Sequence, residues 1–166
     1  MTFKQTKSNK KLLGKFRSFL ELDIDTWLTK IGVDRKYEPC KIPYLIPPSK
    51  PRKANYLPDF VIDPKNLKKM SAKSLTYNDL DGKVILEVKG RLTRKDANKM
   101  INVKKANPNL DIRMLFPHDR IFDKRKKGRR DGEPGLKVRG YRYSDWAIDN
   151  GFPYYVGKEP DMEWFK

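Results

Sequence analysis

The first clear pattern in the chain is a set of apolar residues that recur every three or four positions between residues 18 and 32. This spacing predicts an amphipathic helix whose apolar face packs on the core. Ser18 and Glu21 have the S-x-x-E spacing of a capping box at its start, and Gly32 follows the last periodic residue, as is typical of a helix end. The residues of the predicted apolar face are Leu20, Ile24, Trp27, Leu28 and Ile31.

Two segments in the middle of the chain are rich in β-forming residues and predict strands. They are YLPDFVI at 56–62 and KVILEVKG at 83–90. A polar, lysine-bearing stretch separates them and ends in Asp81-Gly82, which is a turn signal placed just before the second strand.

A helix and a third strand follow these segments. Thr93 and Asp96 can cap a helix, and Pro108 marks the break after it. LDIRMLF at 110–116 predicts a strand, so the order strand, helix, strand suggests a β-α-β crossover. A short final helix is predicted at 144–149. The inner face of the helix after Thr93 is predicted to carry Ala97, Met100, Ile101 and Val103.

The remaining segments carry weaker patterns. Residues 1–15 lack periodicity and predict a flexible basic arm. Residues 36–46 read as an extended segment whose interior prolines suit a sheet edge or an exposed connector. The strongly basic stretch 119–140 is predicted to be a mobile surface loop. Together the elements predict one α/β (mixed α+β) domain over 16–166, with a small mixed sheet flanked by helices.

The composition excludes several classes of chemistry. The chain has 166 residues, which fits one compact domain. It contains only one cysteine, Cys40, and one histidine, His118. An intramolecular disulfide, a zinc site built from Cys and His, and a site that uses two imidazoles are therefore excluded. Because no apolar run could cross a bilayer and no signal peptide is visible, we expect a cytoplasmic protein without a membrane partner. Any catalysis must use carboxylates and lysines.

The charge indicates a polyanionic partner. The 38 Lys and Arg residues exceed the 21 Asp and Glu residues and give a net charge of +17. Basic residues are clustered, and six of the seven residues from Lys124 to Arg130 carry a positive charge. This pattern is typical of a protein that makes many phosphate contacts with little base readout. Charge alone is equally compatible with a solubilising tail or an unspecific RNA-binding protein.

The candidate chemistry lies on the two central strands. Side chains alternate along a strand, so Glu87 and Lys89 point to one face while Val88 points to the other. If the strands pair, Asp59 joins Glu87 and Lys89 there. Two adjacent carboxylates repel each other unless a cation lies between them, and oxygen ligands favour Mg²⁺ or Mn²⁺. Glu21, near the start of the first helix, is a candidate third carboxylate.

Each of these residues also has an ordinary structural interpretation. An E-x-K sequence on a strand commonly forms a surface ion pair, and Glu21 has a sufficient role as a capping residue. The apolar neighbours of Glu87 and Lys89 favour the catalytic interpretation, because a charge placed among buried residues needs compensation.

The order of these motifs is similar to that of the PD-(D/E)XK nuclease superfamily. The chain more closely resembles the phage T-seven type endonuclease I family of Holliday-junction resolvases, from about Phe16 to Trp164. The matching segments are FRSFLE, YEPCKIPYLIPPS, PDF, EVKG, NPNLDIRMLF and YSDWAIDNG. The resemblance implies a restriction-endonuclease-like core and a magnesium-dependent, structure-selective DNA endonuclease.

The same resemblance implies roles for individual residues. The catalytic residues would be Glu21, Asp59, Glu87 and Lys89. The principal metal, Mg²⁺ with Mn²⁺ as a substitute, would be held by Asp59, Glu87 and the Val88 carbonyl, while Glu21 would serve a second metal or its water. No organic cofactor is expected.

Family likeness further implies a domain-swapped homodimer that acts on branched DNA. Residues 42–48 would bridge the two halves, so that Glu21 of one chain completes the site of the other. The proline-rich sequence suits such an extended crossing. Two sites on one dimer would cut two strands of a four-way junction.

We expect phosphate contacts from basic residues near the site and the bridge, with Arg91 and Arg94 favoured because they follow the E-x-K strand. The connection 63–82 departs from the family, in which a much shorter hairpin joins the two strands, and we interpret it as an elongated hairpin. The candidate DNA-binding residues are Arg17, Lys50, Arg52, Lys53, Arg91, Arg94, Lys95, Lys99, Lys104 and Lys105.

Two alternatives to a junction resolvase remain open. One is another PD-(D/E)XK nuclease that acts on duplex or nicked DNA. The other, from a different class, is a non-enzymatic basic nucleic-acid-binding protein, which would bind tightly at low salt and release no product.

Overall fold

The computed structural model describes residues 13–47, 51–70, 73–130 and 133–166, with the side chains of 125–130 and 133–139 excepted. Most of the predicted arm, residues 1–12, lies outside the described residues. The first helix, α1, spans Phe19–Lys30, and the Ser18 hydroxyl accepts a hydrogen bond from the Glu21 amide. Gly32 follows with a φ of 72°, which glycine adopts without strain. The predicted helix and both of its ends are confirmed.

Nine strands form a central sheet and two hairpins within the described residues. The central sheet has five strands in the order β1-β4-β5-β6-β9; β1, β4 and β5 run antiparallel, whereas β5, β6 and β9 run parallel. This mixed sheet confirms the predicted fold class. The strands are β1 (Lys36–Tyr37), β2 (Ile42–Ile46), β3 (Arg52–Tyr56), β4 (Phe60–Ile62), β5 (Val84–Val88), β6 (Asp111–Phe116), β7 (Ile121–Arg130), β8 (Glu133–Arg142) and β9 (Tyr154–Val156).

The second helix, α2 (Arg94–Ala106), connects the parallel strands β5 and β6, as the sequence predicts. Thr93 and Asp96 form a reciprocal capping box at its start. Ala97, Met100 and Val103 are buried on its inner face, whereas Ile101 is only partly buried.

The central sheet separates two apolar clusters. Ile85 belongs to the cluster that also contains Met100 of α2, while Leu86 and Val88 belong to the cluster that contains Leu28 of α1. Alternate residues of β5 therefore contact opposite layers, and all five are buried. The face shared by Ile85 and Glu87 is the one that α2 covers. Among the described residues, no helix has the length and apolar character needed to cross a membrane.

The segment predicted to bridge two subunits forms a strand within this chain. β2 pairs antiparallel with β3, with Ile42 opposite Tyr56 and Ile46 opposite Arg52. The buried Asn107 fastens this hairpin to the end of α2, because its side-chain amide donates to the Pro43 and Val103 carbonyls at 2.9 Å. Pro48, at the end of the predicted bridge, lies outside the described residues.

The prediction of a loop at 119–140 is wrong, because β7 and β8 pair as a long antiparallel hairpin. At its base, Phe122 packs against Tyr141 and Tyr143 with ring centroids 6.4 and 6.3 Å apart. Charged residues rather than alternating apolar ones dominate these strands, so the hydrophobic pattern gives no strand signal. The third helix, α3 (Tyr143–Asp149), starts one residue before the predicted position.

Candidate active site

Glu87 lies at the centre of the candidate site. Its side chain is on β5 and the residue is only 1% exposed. One carboxylate oxygen, Oε1, lies 2.5 Å from the Lys89 ammonium and 3.8 Å from that of Lys99, which projects from α2. The other oxygen, Oε2, accepts a 2.5 Å hydrogen bond from the Tyr56 hydroxyl. The buried charge is therefore compensated on both oxygens, as burial requires.

Asp59 is brought to the same place by strand pairing. It immediately precedes β4, where Phe60 lies opposite Leu86 of β5. The Asp59 carboxylate accepts a 2.7 Å hydrogen bond from the Val88 amide, next to both Glu87 and Lys89. The predicted convergence of Asp59, Glu87 and Lys89 is thus present in the structure.

The electrostatics of the site favour a bound cation. Burial and then the Glu87 charge raise the pKa of Asp59 to about 8, although Lys89 and the Val88 amide act in the opposite direction. Burial alone would lower the pKa of Lys89, but the charges of Glu87 and Asp59 raise it above its usual value. Lys89 therefore remains an ammonium group beside Glu87, whereas ionisation of Asp59 is disfavoured and would gain from a cation placed beside its carboxylate.

Glu21 is held at the edge of this site by α1 and the residues around it. Its Oε2 accepts hydrogen bonds from the Tyr37 hydroxyl at 2.7 Å and the Arg17 amide at 3.0 Å, and its Oε1 accepts one from Ser18 at 2.8 Å. The Glu21 charge contributes to the raised pKa of Asp59. The negative charge of Glu21 therefore disfavours ionisation of Asp59 by electrostatic repulsion.

Glu38 connects this edge of the site to Asp59. It has a positive φ of 44°, and its amide donates to the Asp59 carbonyl at 3.1 Å. Its carboxylate forms a two-pronged ion pair with the Arg17 guanidinium, at 2.8 and 2.9 Å. Burial raises the pKa of the Glu38 carboxyl, and Arg17 opposes the shift. Arg17, predicted to contact DNA, is thus engaged by Glu38.

The other predicted DNA-binding residues are spread around the site. Lys99 faces Glu87, Arg94 pairs with Asp123 at 3.1 Å, and Lys104 donates to the Gly151 carbonyl. Lys50 lies outside the described residues. The predicted contacts that remain exposed on the described surface without entering the site are Arg52, Lys53, Arg91, Lys95 and Lys105.

The donor set fits a hard divalent cation. Asp59 and Glu87 supply oxygen ligands only, and Mg²⁺ commonly uses one or two carboxylates together with water. Among the side chains that the structure describes, no group of three or more His, Cys, Asp or Glu residues is arranged to hold a metal. Glu21 therefore does not join Asp59 and Glu87 as a third ligand in this arrangement.

Sequence reasoning missed three residues that build the site. Tyr56 bonds Glu87, Tyr37 bonds Glu21, and Glu38 engages Arg17. Tyr56 lies in a segment that reads simply as β-forming and Tyr37 in one that reads as extended, so no local signal marks either tyrosine. Only the position of Tyr56, three residues before Asp59, could have drawn attention to it.

Comparison with known proteins identifies the family. A family model described as phage endonuclease I matches residues 1–166. The chain is 31% identical over 108 residues to Endonuclease I of Escherichia phage T7, covering 65% of this chain and 58% of that protein. It is 30% identical over 105 residues to Endodeoxyribonuclease 1 of Enterobacteria phage T3, covering 63% of this chain and 55% of that protein. The matched region thus spans less than two thirds of either relative. By the match over its whole length, the chain belongs to the phage endonuclease I family.

Proposed function

We propose that the protein is a metal-dependent, structure-selective DNA endonuclease that resolves four-way (Holliday) and branched junctions by phosphodiester hydrolysis. The observation that carries the proposal is the meeting of Asp59, Glu87 and Lys89 on paired strands. Family membership and the net charge of +17 support the choice of DNA as substrate. The implied setting is the cytoplasm of a phage-infected host.

The metal would be Mg²⁺, with Mn²⁺ as a substitute, held by Asp59, Glu87 and the Val88 carbonyl, with Glu21 serving a second ion or its water. Such an ion, when bound, lowers the pKa of a water molecule and neutralises charge on the phosphate. Lys89 keeps an ammonium group beside Glu87, where it can stabilise the charge that develops on the phosphate oxygens.

Phosphate contacts would position the junction. Among the predicted DNA-binding residues, Lys99 has its ammonium group 3.8 Å from Glu87 Oε1. Arg91 is exposed two residues after Lys89, and Lys95 is exposed in the first turn of α2. These residues would read the shape of the junction through its backbone rather than through base edges.

We further propose a domain-swapped homodimer with 42–48 as the bridge. β2 links the α1–β1 part, which holds Glu21, to the part that holds Asp59, Glu87 and Lys89. If β2 and β3 of one chain separated, the same contacts could form between two chains, and Glu21 would then complete the partner's site. Two linked sites would allow both strands of a junction to be cut in one binding event.

The first experiment compares cleavage of a labelled four-way junction with cleavage of a linear duplex of the same sequence, with and without Mg²⁺. We expect junction-selective, Mg²⁺-dependent products that Asp59→Ala and Glu87→Ala abolish while junction binding persists. Asp63→Ala is the matched control, because Asp63 pairs with Lys83 in the connection between β4 and β5.

Each alternative gives a different result in this experiment. Equal cutting of duplex and junction would favour another PD-(D/E)XK nuclease. Salt-sensitive binding without any metal-dependent product would indicate a non-enzymatic binding protein. Full activity of Asp59→Ala would refute the assignment of the site.

The swap is tested by mixing two inactive variants, Glu21→Ala and Asp59→Ala. If each site takes residues from both chains, a mixed dimer has one site with both lesions and one intact site. Nicking of the junction should then partly return. Absence of nicking, once subunit exchange has been verified, would show that each site is contained within one chain.

A further inference from the structure

Tyr56 contacts the candidate site from a hairpin outside the central sheet. It is the last residue of β3 and is only 1% exposed. Its hydroxyl donates a 2.5 Å hydrogen bond to Oε2 of Glu87, and its ring lies 5.1 Å from the Lys99 ammonium. Tyr56 therefore contacts both the buried carboxylate and one of the two cations that neutralise it.

The two oxygens of Glu87 have different partners. Oε2 is bonded to a neutral, buried hydroxyl, whereas Oε1 faces the ammonium groups of Lys89 and Lys99. A neutral phenol hydroxyl beside a carboxylate can only donate to it. An incoming divalent cation can displace the two lysines from Oε1, because both side chains are flexible and keep some exposure to solvent, 18% for Lys89 and 31% for Lys99. At Oε2 the cation would compete with the buried Tyr56 hydroxyl for the electron density of the oxygen, so Oε1 is the favoured ligand atom.

We propose that Tyr56 is a positioning residue that holds Glu87 by Oε2 and thereby presents Oε1 to the metal. This inference rests on the proposed function, because it assigns Glu87 as a metal ligand. Groups that hydrogen-bond a metal-ligating carboxylate fix its orientation and strengthen metal binding. Tyr56 touches neither the metal nor the DNA in this scheme, and it acts only through Glu87.

Removal of the hydroxyl isolates this role. Tyr56→Phe keeps the buried ring and its contact with Lys99 but leaves Oε2 of Glu87 without its donor. Glu87 can then rotate, and either oxygen can turn toward the lysines. Metal binding must reorder the carboxylate, so the variant should bind the ion less tightly.

The test is a calorimetric titration of the full chain with Mn²⁺ alone, without DNA. We expect Tyr56→Phe to bind Mn²⁺ roughly 10- to 100-fold more weakly than the unchanged protein, the range found for second-layer substitutions. In junction cleavage, the Mg²⁺ concentration for half-maximal rate should rise in parallel, with a smaller change in the maximal rate. A purely structural role would lower stability without moving either metal dependence.

Tyr141→Phe is the matched control. Tyr141 is also buried, and its hydroxyl donates a 2.6 Å hydrogen bond to the Asp149 carboxylate, between β8 and α3. The control loses a tyrosine–carboxylate bond of the same kind and should retain the Mn²⁺ affinity of the unchanged protein. Equal Mn²⁺ affinity in Tyr56→Phe and Tyr141→Phe would overturn the inference.

A second pair of variants covers the case in which Tyr56→Phe does not fold. 4-Aminophenylalanine at position 56 keeps a donor in place of the hydroxyl, and 4-methylphenylalanine fills the same volume without one. The amino variant should bind Mn²⁺ more tightly than the methyl variant, and equal affinities would refute the role of the donor.

Failure of this inference differs from failure of the proposed function. If the unchanged protein cuts junctions and Tyr56→Phe binds Mn²⁺ normally, the function stands and the role of Tyr56 is refuted. If the unchanged protein cuts no DNA but Tyr56→Phe still weakens Mn²⁺ binding, the function is refuted and the role of Tyr56 stands. If the unchanged protein binds no Mn²⁺, the inference is refuted.

Discussion

Neutralising Asp59 should stabilise the metal-free protein while abolishing its proposed activity. The carboxyl is buried beside Glu87, and these two causes raise its pKa from 3.8 to about 8. A raised folded-state pKa means that folding disfavours the charged form. The stability contributed by the protonated carboxyl is therefore lost as the pH rises from the unfolded-state pKa through the folded-state value. Asp59→Asn removes this charge, and its amide oxygen can still accept the hydrogen bond from the Val88 amide.

The magnitude follows from the size of the shift. Each pKa unit corresponds to about 1.4 kcal/mol, so the buried Asp59 carboxyl lowers the free energy of unfolding at pH 7 by about 4 kcal/mol relative to its effect at low pH, and by more as the pH approaches 8. Because relaxation and water penetration reduce such penalties in folded proteins, we expect Asp59→Asn to gain about 2–4 kcal/mol at pH 7. Near pH 4 the gain should fall below about 1 kcal/mol.

The assay is urea unfolding followed by circular dichroism at pH 5, 7 and 8 in the presence of EDTA. The stability gap between Asp59→Asn and the unchanged protein should widen with pH. Mg²⁺ should then narrow the gap by stabilising the unchanged protein alone, because a ligand of the native state raises its stability. A gap that stays constant with pH, or a less stable Asp59→Asn at pH 8, would refute the reasoning.

Two other substitutions test the surroundings of the site. Lys99→Met should slow junction cleavage and reduce by about one the number of ions released when the junction binds, which binding titrations at several salt concentrations measure. An unchanged salt slope would exclude a contact between Lys99 and a phosphate. Asp96→Asn should destabilise the protein at pH 7. Burial of the Asp96 carboxyl would raise its pKa, but hydrogen bonds from Thr93 outweigh burial and lower it. The stability that this capping bond contributes is present above the unfolded-state pKa of Asp96 and is lost as the pH falls through its lowered folded-state pKa. The difference in free energy of unfolding between Asp96→Asn and the unchanged protein, measured by urea unfolding, should therefore shrink below about pH 4.

Elements whose signals are local could be predicted from the sequence. The caps at Ser18 and Thr93 are built from residues three positions apart, so the two longer helices were located with their ends. Two β-rich segments predict β4 and β5, and their pairing, which the sequence alone leaves as a condition, carries Asp59 to Glu87. The meeting of Asp59, Glu87 and Lys89 is therefore predictable from the sequence once these strands are assumed to pair.

Features that depend on distant packing could not be predicted. The hairpin of β7 and β8 has a sequence dominated by charge, and its anchor is an aromatic group in which Phe122 meets residues of β8 and α3. Likewise, Tyr56 and Lys99 reach Glu87 only because β3 and α2 pack on the same face of the sheet. No spacing along the chain encodes such contacts.

The connection between β4 and β5 leaves the sheet at the end remote from the reacting groups. Ile62 lies opposite Val84 at the connection, whereas Asp59 and Glu87 lie beyond the opposite end of the paired region, where Phe60 faces Leu86. Added length between residues 63 and 83 is thus absorbed without moving either carboxylate. Several residues of the connection, such as Leu67 and Leu80, are buried, so a reporter or affinity tag inserted at one of its exposed positions should leave the chemistry intact.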